Sequence, residues 1–364
     1  MHARAFRRLF SDSKNLPIIF VVLALVVAVF YGISISGFLA RHTVDEIYGY
    51  WSNGKYIIYI HDDVVEVVNL FGQEYWAGEF VVPEDDFREY SWTSRYDLEK
   101  SQPYADGTSG SDIPDKDFIF KNGTLDMYDV GSTELFGTFR KMHEPDLDFE
   151  GQVSLCIMAG EIENTISTEI FSIDDTECLY SIKIYNPNPY LISAKLTLSW
   201  SDANDKIQKQ ERTAYLMPET MQVVAGNLMD AGAGEITDIK CNVKIGDAGI
   251  HQECNEIPYD ISGVEVHVDG ESGCVSDVQF NYTSDYVMTY TDSSSILRFV
   301  RRDEIPEQGL ICAEYTGDFS IAFYKDGNII GVGYATADEL NNSQLSITEI
   351  SPVYEYDSYE IFAG

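Results

Sequence analysis

Between Asn15 and Ala40 the chain carries no charged side chain, and Leu16–Ile33 reads LPIIFVVLALVVAVFYGI, 18 residues almost without a polar atom. A helix rises about 1.5 Å per residue, so about 20 residues cross a hydrocarbon layer roughly 30 Å thick. Only a helix satisfies its own backbone there. Pro17 falls in the first turn, where its missing N–H costs nothing. The sequence therefore predicts a basic tail over 1–15 and a single transmembrane helix over 16–40.

Flanking charge sets the orientation. Arg4, Arg7, Arg8 and Lys14 precede the span, and Arg41, His42, Asp45 and Glu46 follow it. The positive-inside rule places the N-terminus in the cytoplasm and everything from about residue 41 outside the cell. A cleaved signal peptide ending near Ser34-Ile35-Ser36 is the rival reading. The apolar run is longer than the ~7–15 residues of a signal core. No cysteine near the span offers a lipid anchor.

Residues 1–15 carry a net +3, so the chain total of −36 leaves −39 for the remainder. Such a surface repels nucleic acid and anionic headgroups, and excludes nucleic-acid binding. It attracts divalent cations weakly, and basic partners. Solubility explains most of it.

At 364 residues, 45% hydrophobic and 13% aromatic, the chain can build two or three packed domains. Its 24 tyrosines and 19 phenylalanines lean towards β structure. Strand-like segments between turn signals dominate after residue 40, and no long helical period interrupts them. The expected class is mainly β: the transmembrane helix, a small antiparallel barrel over 44–145, and β-sandwiches over 152–247 and 259–364.

In the first region Asn53-Gly54 precedes Lys55–Ile60. Val64–Leu70 and Tyr75–Val82 follow, then a long polar loop over roughly Asp85–Lys116. Phe118–Phe120, Asn122-Gly123 and Leu125–Tyr128 form a hairpin signal, because Asn-Gly supplies the positive φ angles of a type I′ turn. Leu135–Arg140 closes the set. The motifs Gly49-Tyr50-Trp51, Gly78-Glu79-Phe80, Asn122-Gly123-Thr124-Leu125 and Gly137-Thr138-Phe139-Arg140-Lys141 resemble the small lipocalin-like domains of bacterial surface proteins. That resemblance covers about a hundred residues. It implies a barrel and transfers no ligand.

In the second region Ile192–Trp200 alternates strictly: Ile192, Ala194, Leu196, Leu198 and Trp200 face one way, with Ser193, Lys195, Thr197 and Ser199 opposite. Period two means one buried and one wet face. In the third, Phe319–Tyr324, Asp326-Gly327 and Ile329–Tyr334 form another hairpin. The two regions look like copies of one unit, with Trp200 and Tyr324, and Leu216 and Leu340, at the same offset of 124. The segments Phe323-Tyr324-Lys325-Asp326-Gly327-Asn328-Ile329-Ile330 and Tyr356-Asp357-Ser358-Tyr359-Glu360-Ile361 resemble the FxLYD family of bacterial and archaeal envelope proteins. Leu198–Ile207 does so without the turn glycine. The resemblance covers about half of the chain beyond the span. It implies immunoglobulin-like sandwiches beside a membrane anchor, with no catalytic set to carry over.

Cys156, Cys178, Cys241, Cys254, Cys274 and Cys312 lie outside the membrane in this topology. Six cysteines allow 15 disulfide connectivities, and nothing selects among them. Cys156 and Cys178 sit in strand-like runs that suit buried free thiols equally. Cys241…His251-x-x-Cys254…Cys274 has one short spacing where structural zinc sites use two.

No catalytic, cofactor-binding or metal-binding residue is assigned. Gly107-Thr108-Ser109-Gly110-Ser111 reads as linker. His42, His61, His143, His251 and His267 form no H-E-x-x-H. Asp62-Asp63, Glu84-Asp85-Asp86 and Asp174-Asp175 read as solvated turns. Asp202, Asn204 and Asp205 lack the glycine and closing Glu of a calcium loop, with Ile207 and Thr213 in those places. Asn122, Asn281 and Asn341 head glycosylation triplets, which are chance matches in a bacterium and matter more in an archaeon.

The expectation is a non-enzymatic, membrane-anchored extracytoplasmic binding or scaffold protein of the cell envelope, with an unspecified protein or cell-wall partner. The alternatives are an anchored hydrolase acting on envelope glycans through surface carboxylates, and an archaeal pilin or surface-layer subunit.

Overall fold

The computed structural model describes residues 27, 41–97, 115–143, 148–174, 177–202, 206–228, 236–257, 259–291, 294–301, 303, 312–314, 318–335 and 344–364. The basic tail and, Val27 apart, the expected span lie outside them. Among the described residues no helix is long and apolar enough to cross a membrane. Contacts divide the chain into two compact units, one of residues 1–66, 78–96 and 114–144, the other of 67–77, 97–113 and 145–364.

An eight-stranded antiparallel sheet forms from β1 (Gly49–Ser52), β2 (Tyr56–His61), β3 (Val64–Asn69), β4 (Glu74–Glu79), β5 (Glu89–Ser94), β6 (Lys116–Lys121), β7 (Thr124–Asp129) and β8 (Leu135–Lys141). Its order is β4-β3-β2-β1-β8-β7-β6-β5. The outer strands meet where Gly78 bridges Tyr96 and the Glu79 N–H donates to the Arg95 carbonyl at 3.2 Å. The sheet is thus a near-closed barrel, which leaves little free edge. The β6–β7 turn holds Asn122 at φ 52° and Gly123 at φ 75°, as the Asn-Gly signal requires.

The long polar loop expected over Asp85–Lys116 is corrected by β5. Glu-Tyr-Ser-Trp-Thr-Ser reads as polar, but Trp92 and Ser94 point inward and are buried while Glu89, Ser91 and Thr93 stay wet. One tryptophan carries that strand's apolar face. Inside the barrel Trp92 stacks on Phe118 at 5.1 Å, and Trp51 meets Phe120 edge-on at 5.7 Å. An eight-stranded barrel is just wide enough for side chains to fill, and these fill it.

One end is stoppered. A 3-10 turn, Val44–Glu46, leads into Ile47, which is fully buried. The Trp51 indole N–H donates to the Ile47 carbonyl at 2.7 Å. Lys141 Nζ donates to the carbonyls of Asp45 (3.1 Å) and Glu46 (2.8 Å) and stands 5.8 Å from the Trp51 ring centre. Desolvation lowers the Lys141 pKa, and the charges of Glu46 and Asp45 oppose that.

The second unit contains a helix where a strand-like run was expected. α1 (Phe149–Glu163) begins at Asp148, whose carboxylate accepts the Gly151 N–H at 3.0 Å. Leu155, Cys156, Ala159 and Ile162 form its buried stripe. The short apolar run Val153–Met158 fits either period, and only the cap and the longer spacing separate them.

Six strands follow: β9 (Ser167–Ser172), β10 (Cys178–Tyr185), β11 (Leu191–Ser201), β12 (Ile207–Leu216), β13 (Met221–Leu228) and β14 (Thr237–His251). They form two sheets, β13-β10-β9 and β12-β11-β14. Tyr180, Ile182 and Val224 of the first face Leu196, Leu198 and Val243 of the second across one core, which α1 flanks. The strict alternation of Ile192–Trp200 is realised on β11.

The remaining strands are β15 (Tyr259–Val268), β16 (Val275–Ser284), β17 (Tyr286–Thr291), β18 (Ser294–Arg301), β19 (Cys312–Glu314), β20 (Phe319–Lys325), β21 (Asn328–Ala335), β22 (Gln344–Ile347), β23 (Glu349–Ile350) and β24 (Ser358–Ala363). Their sheets are β15-β16-β22, β18-β17-β19 and β23-β21-β20-β24. In the earlier set the fifth, second and first strands make one sheet, and the fourth, third and sixth the other. Taking β15, β16, β20, β21, β22 and β24 as the six, the later set repeats that order in β22-β16-β15 and β21-β20-β24. β17–β19 is an insertion after the second strand, and β23 an added edge. Trp200 and Tyr324, the pair at offset 124, both lie on the third strand. Leu340 lies outside the described residues.

The two copies share a further layer. Phe319, Ile321 and Phe323 face the core of the second copy, against Val278, Phe280 and Ile347. Ala322, with Val332 and Phe362, packs instead on Leu179, Val223 and Ala225 of the first copy. β10 and β20 are therefore buried on both faces. Polar groups fix the match. Ser320 Oγ accepts the Ala225 N–H at 2.8 Å. Arg212 donates to the Ala225 carbonyl at 2.6 Å and to the Asp318 carboxylate at 2.7 Å.

Arg212 is only 12% exposed, so truncating it takes a charged donor away from Asp318 and from the Ala225 carbonyl. Arg212→Ala is expected to lower stability by about 3 kcal/mol, in the range for breaking a buried pair. Urea unfolding checks this. A loss below about 1 kcal/mol would show that the pair is solvated and contributes little.

Candidate functional site

A concave setting among the described residues lies at one rim of the barrel. There Lys55, Tyr56, Asp129, Ser132, Glu134, Leu135 and Phe136 line a cavity of about 300 Å³. The β1–β2 turn places the first two. Asn53 Oδ1 accepts the N–H groups of Lys55 (2.9 Å) and Tyr56 (2.8 Å), and Ser52 Oγ accepts that of Gly54 (3.0 Å). This turn packs close to β8. Gly137 has φ 153°, and a Cβ there would fall 2.5 Å from Asn53 Nδ2, so only glycine fits.

The β7–β8 turn supplies the rest. The Ser132 N–H donates to the Asp129 carbonyl at 2.9 Å, and Ser132 Oγ accepts the Glu134 N–H at 3.0 Å. Lys116 Nζ binds Asp129 at 2.8 Å and lies 4.7 Å from the Phe136 ring centre. Tyr56 meets Phe136 edge-on at 5.8 Å, and Lys55 Nζ sits 4.9 Å from the Tyr56 ring centre. Beside this framework Val130, Leu135 and Phe136 stay 36–45% exposed.

The arrangement suits binding. Two aromatic rings and a leucine offer an apolar wall, with the Lys55 ammonium and the Glu134 carboxylate at its margin. The lining includes no histidine or cysteine, and the Ser132 hydroxyl oxygen is taken up by the turn.

The histidines, carboxylate pairs and cysteines weighed from the sequence do not converge here. Asp62 stands in the β2–β3 turn at φ 46°, and Glu84, Asp85 and Asp86 are exposed in the β4–β5 connection. Asp202 accepts the Lys206 N–H at 3.0 Å, which makes a turn. Asn204, Asp205 and Asp175 lie outside the described residues. His42 pairs with Glu46 at 2.8 Å, His61 with Glu66 at 2.9 Å and His267 with Asp277 at 2.8 Å, each at a separate place on its own unit. His251 is buried, and desolvation holds its pKa below the usual value, against the pull of Glu253. Cys241 belongs to the core of the first copy and Cys254 to that of the second. Among the described residues no three potential ligands converge to hold a metal ion.

Cys156, Cys241 and Cys254 are buried free thiols, Cys178 is buried, and Cys274 is half-buried and free. Desolvation raises the pKa of Cys156, Cys241 and Cys254 to about 12. Protonated at neutral pH, they are weak nucleophiles and metal ligands.

Leu135-Phe136 was legible only as strand. Two adjacent apolar residues on a strand point to opposite faces, so one of them must leave the core. That is a signal for an exposed ring, and the sequence reading passed over it.

No protein-family model matches this chain, and neither does any curated protein.

Alkylation at pH 8 with peptide mapping tests the thiols. The four buried cysteines are expected to label only in denaturant, with Cys274 modified in the native protein. Rapid native labelling of Cys156 or Cys241 would contradict the packing described.

Proposed function

We propose that this chain is a non-enzymatic, membrane-anchored binding or scaffold protein of the cell envelope. The apolar segment 16–40 holds the remainder outside the cell, and the rim of the barrel receives a small amphipathic ligand. The observation that carries the reading is the contrast within the barrel. Its interior is filled by aromatic side chains, while Leu135 and Phe136 stay exposed beside a cavity on a braced rim. Ligand sites are typically concave and apolar with few polar groups, and this one has that character.

The barrel is lipocalin-like: Trp51 and Lys141, both from the motifs that suggested it, meet at the stoppered end. The six-strand copies are immunoglobulin-like sandwiches of the FxLYD kind, extending over about 152–247 and 259–364. Their common strand order supports duplication of one module. The −36 charge keeps nucleic acid from being a partner and favours basic partners and divalent cations.

The test uses the full chain in detergent micelles with an anionic, environment-sensitive fluorophore. Its emission is expected to rise on binding. Phe136→Ala and Lys55→Glu should each weaken binding by about tenfold, roughly the 1.4 kcal/mol of one lost contact. Equal binding by all three proteins would remove the rim from the account. Turnover of an envelope glycan that disappears on neutralising an exposed carboxylate pair would instead establish the hydrolase.

A further inference from the structure

The duplicated sheets meet in an unsymmetrical way. The sheet built from first, second and fifth strands in copy one (β13-β10-β9) packs on the sheet of third, fourth and sixth strands in copy two (β21-β20-β24). Among the described residues, a heterologous contact of this kind leaves the complementary pair of faces out of the contact between the copies. These are the outer face of β12-β11-β14 and the outer face of β15-β16-β22.

These two outer faces carry opposite charge. On β12-β11-β14 the register places Lys195 opposite Thr213, Ser199 opposite both Lys209 and Lys240, and Thr197 opposite Glu211. Leu196, Leu198 and Val243 of the same sheet face the core, so these side chains share the outward side. Lys195, Lys209 and Lys240 are exposed, and Glu211, paired with Lys195, is the acid among them. Lys244, opposite Lys195, is the fourth lysine of this face and donates to the Phe71 carbonyl at 2.9 Å. Four lysines on one sheet face stand out in a chain with 24 basic residues against 60 acidic ones.

On β15-β16-β22 the core takes Val266, Val278, Phe280 and Ile347. The other side presents Asp260, Glu265 and Asp277, with Ser262 and Thr283 between them. Asp260, Ser262 and Glu265 are exposed, and His267 lies between Glu265 (3.7 Å) and Asp277 (2.8 Å).

We infer that copies of this chain associate head to tail, the lysine face of β12-β11-β14 seating on the acidic face of β15-β16-β22 of the next copy. That contact repeats, between molecules, the pairing of sheet types already made between the two copies within one molecule. Both faces are polar, so the association is weak and set by charge. Packed sheets lie about 10 Å apart, and opposed side chains come closer than that. The net self-repulsion acts over longer distances and is largely screened beyond about 10 Å at 0.1 M salt. The inference is independent of what the barrel rim binds.

Sedimentation velocity on the full chain in detergent micelles, at about 0.1 M salt, tests it. The wild type should form concentration-dependent species larger than the monomer. Lys209→Glu with Lys240→Glu should weaken association at least tenfold. Adding Asp260→Lys and Glu265→Lys to the same chain should restore it, since the complementarity is then reversed on both faces. All four side chains are solvent-facing, and unchanged circular dichroism confirms that the variants fold. A monomer at every concentration overturns the inference. So does association that survives Lys209→Glu with Lys240→Glu alone, which would place the contact in the membrane segment or elsewhere. Failure of the compensating pair to restore association, or binding of an anionic polymer by the lysine face of a monomer, also overturns it.

Discussion

The second unit depends on one apolar contact, that of Leu179, Val223 and Ala225 with Ala322, Val332 and Phe362. Apolar burial is non-directional, and six side chains of this kind do not select a register alone. The bonds from Ala225 to Ser320 and from Arg212 to Asp318 do, because both cross from one copy to the other and break if the sheets slide. A one-residue slip would also turn every core side chain of β10 or β20 to the wrong face. The interface therefore constrains both cores at once. β10 serves the core of the first copy through Tyr180 and Ile182, and the shared layer through Leu179.

The barrel solves a different problem. Closing eight strands removes the sheet edges, but the interior must then be filled or left to a ligand. Trp51, Trp92, Phe118, Phe120 and Phe139 fill it. The cavity lies at the rim instead, where turns are held by Asn53 and Ser132 and the exposed ring of Phe136 costs little packing. At the other end Lys141 fixes the 3-10 turn over Trp51. A lysine can do so because its ammonium meets two carbonyls and stands over the indole ring at the same time.

What the sequence showed and what it hid follow from the range of the interactions. Turns at Asn122-Gly123 and Asp326-Gly327 were legible because positive φ is a local demand. The alternation of Ile192–Trp200 was legible because one face is wet. β5 was hidden because its apolar face is a single tryptophan, and α1 because the short apolar run Val153–Met158 fits either period. The repeat showed as an offset of 124, while the common strand order that supports it is something no local pattern encodes. The rim cavity joins Lys55 to Leu135 and Phe136 across a sheet pairing that closes only in three dimensions. The opposite charge of the two outer faces was likewise invisible, since the lysines come from three strands.

The central structural claim is that the copies form one layered body, with β10 and β20 each buried on both faces. Native-state hydrogen exchange on the full chain measures this directly, because amides in one cooperative unit open with one free energy. The account predicts that amides of Leu179–Ile184 and of Ser320–Phe323 share the slowest class and respond together to denaturant. Two separate classes, with β20 opening while β10 stays protected, would contradict it.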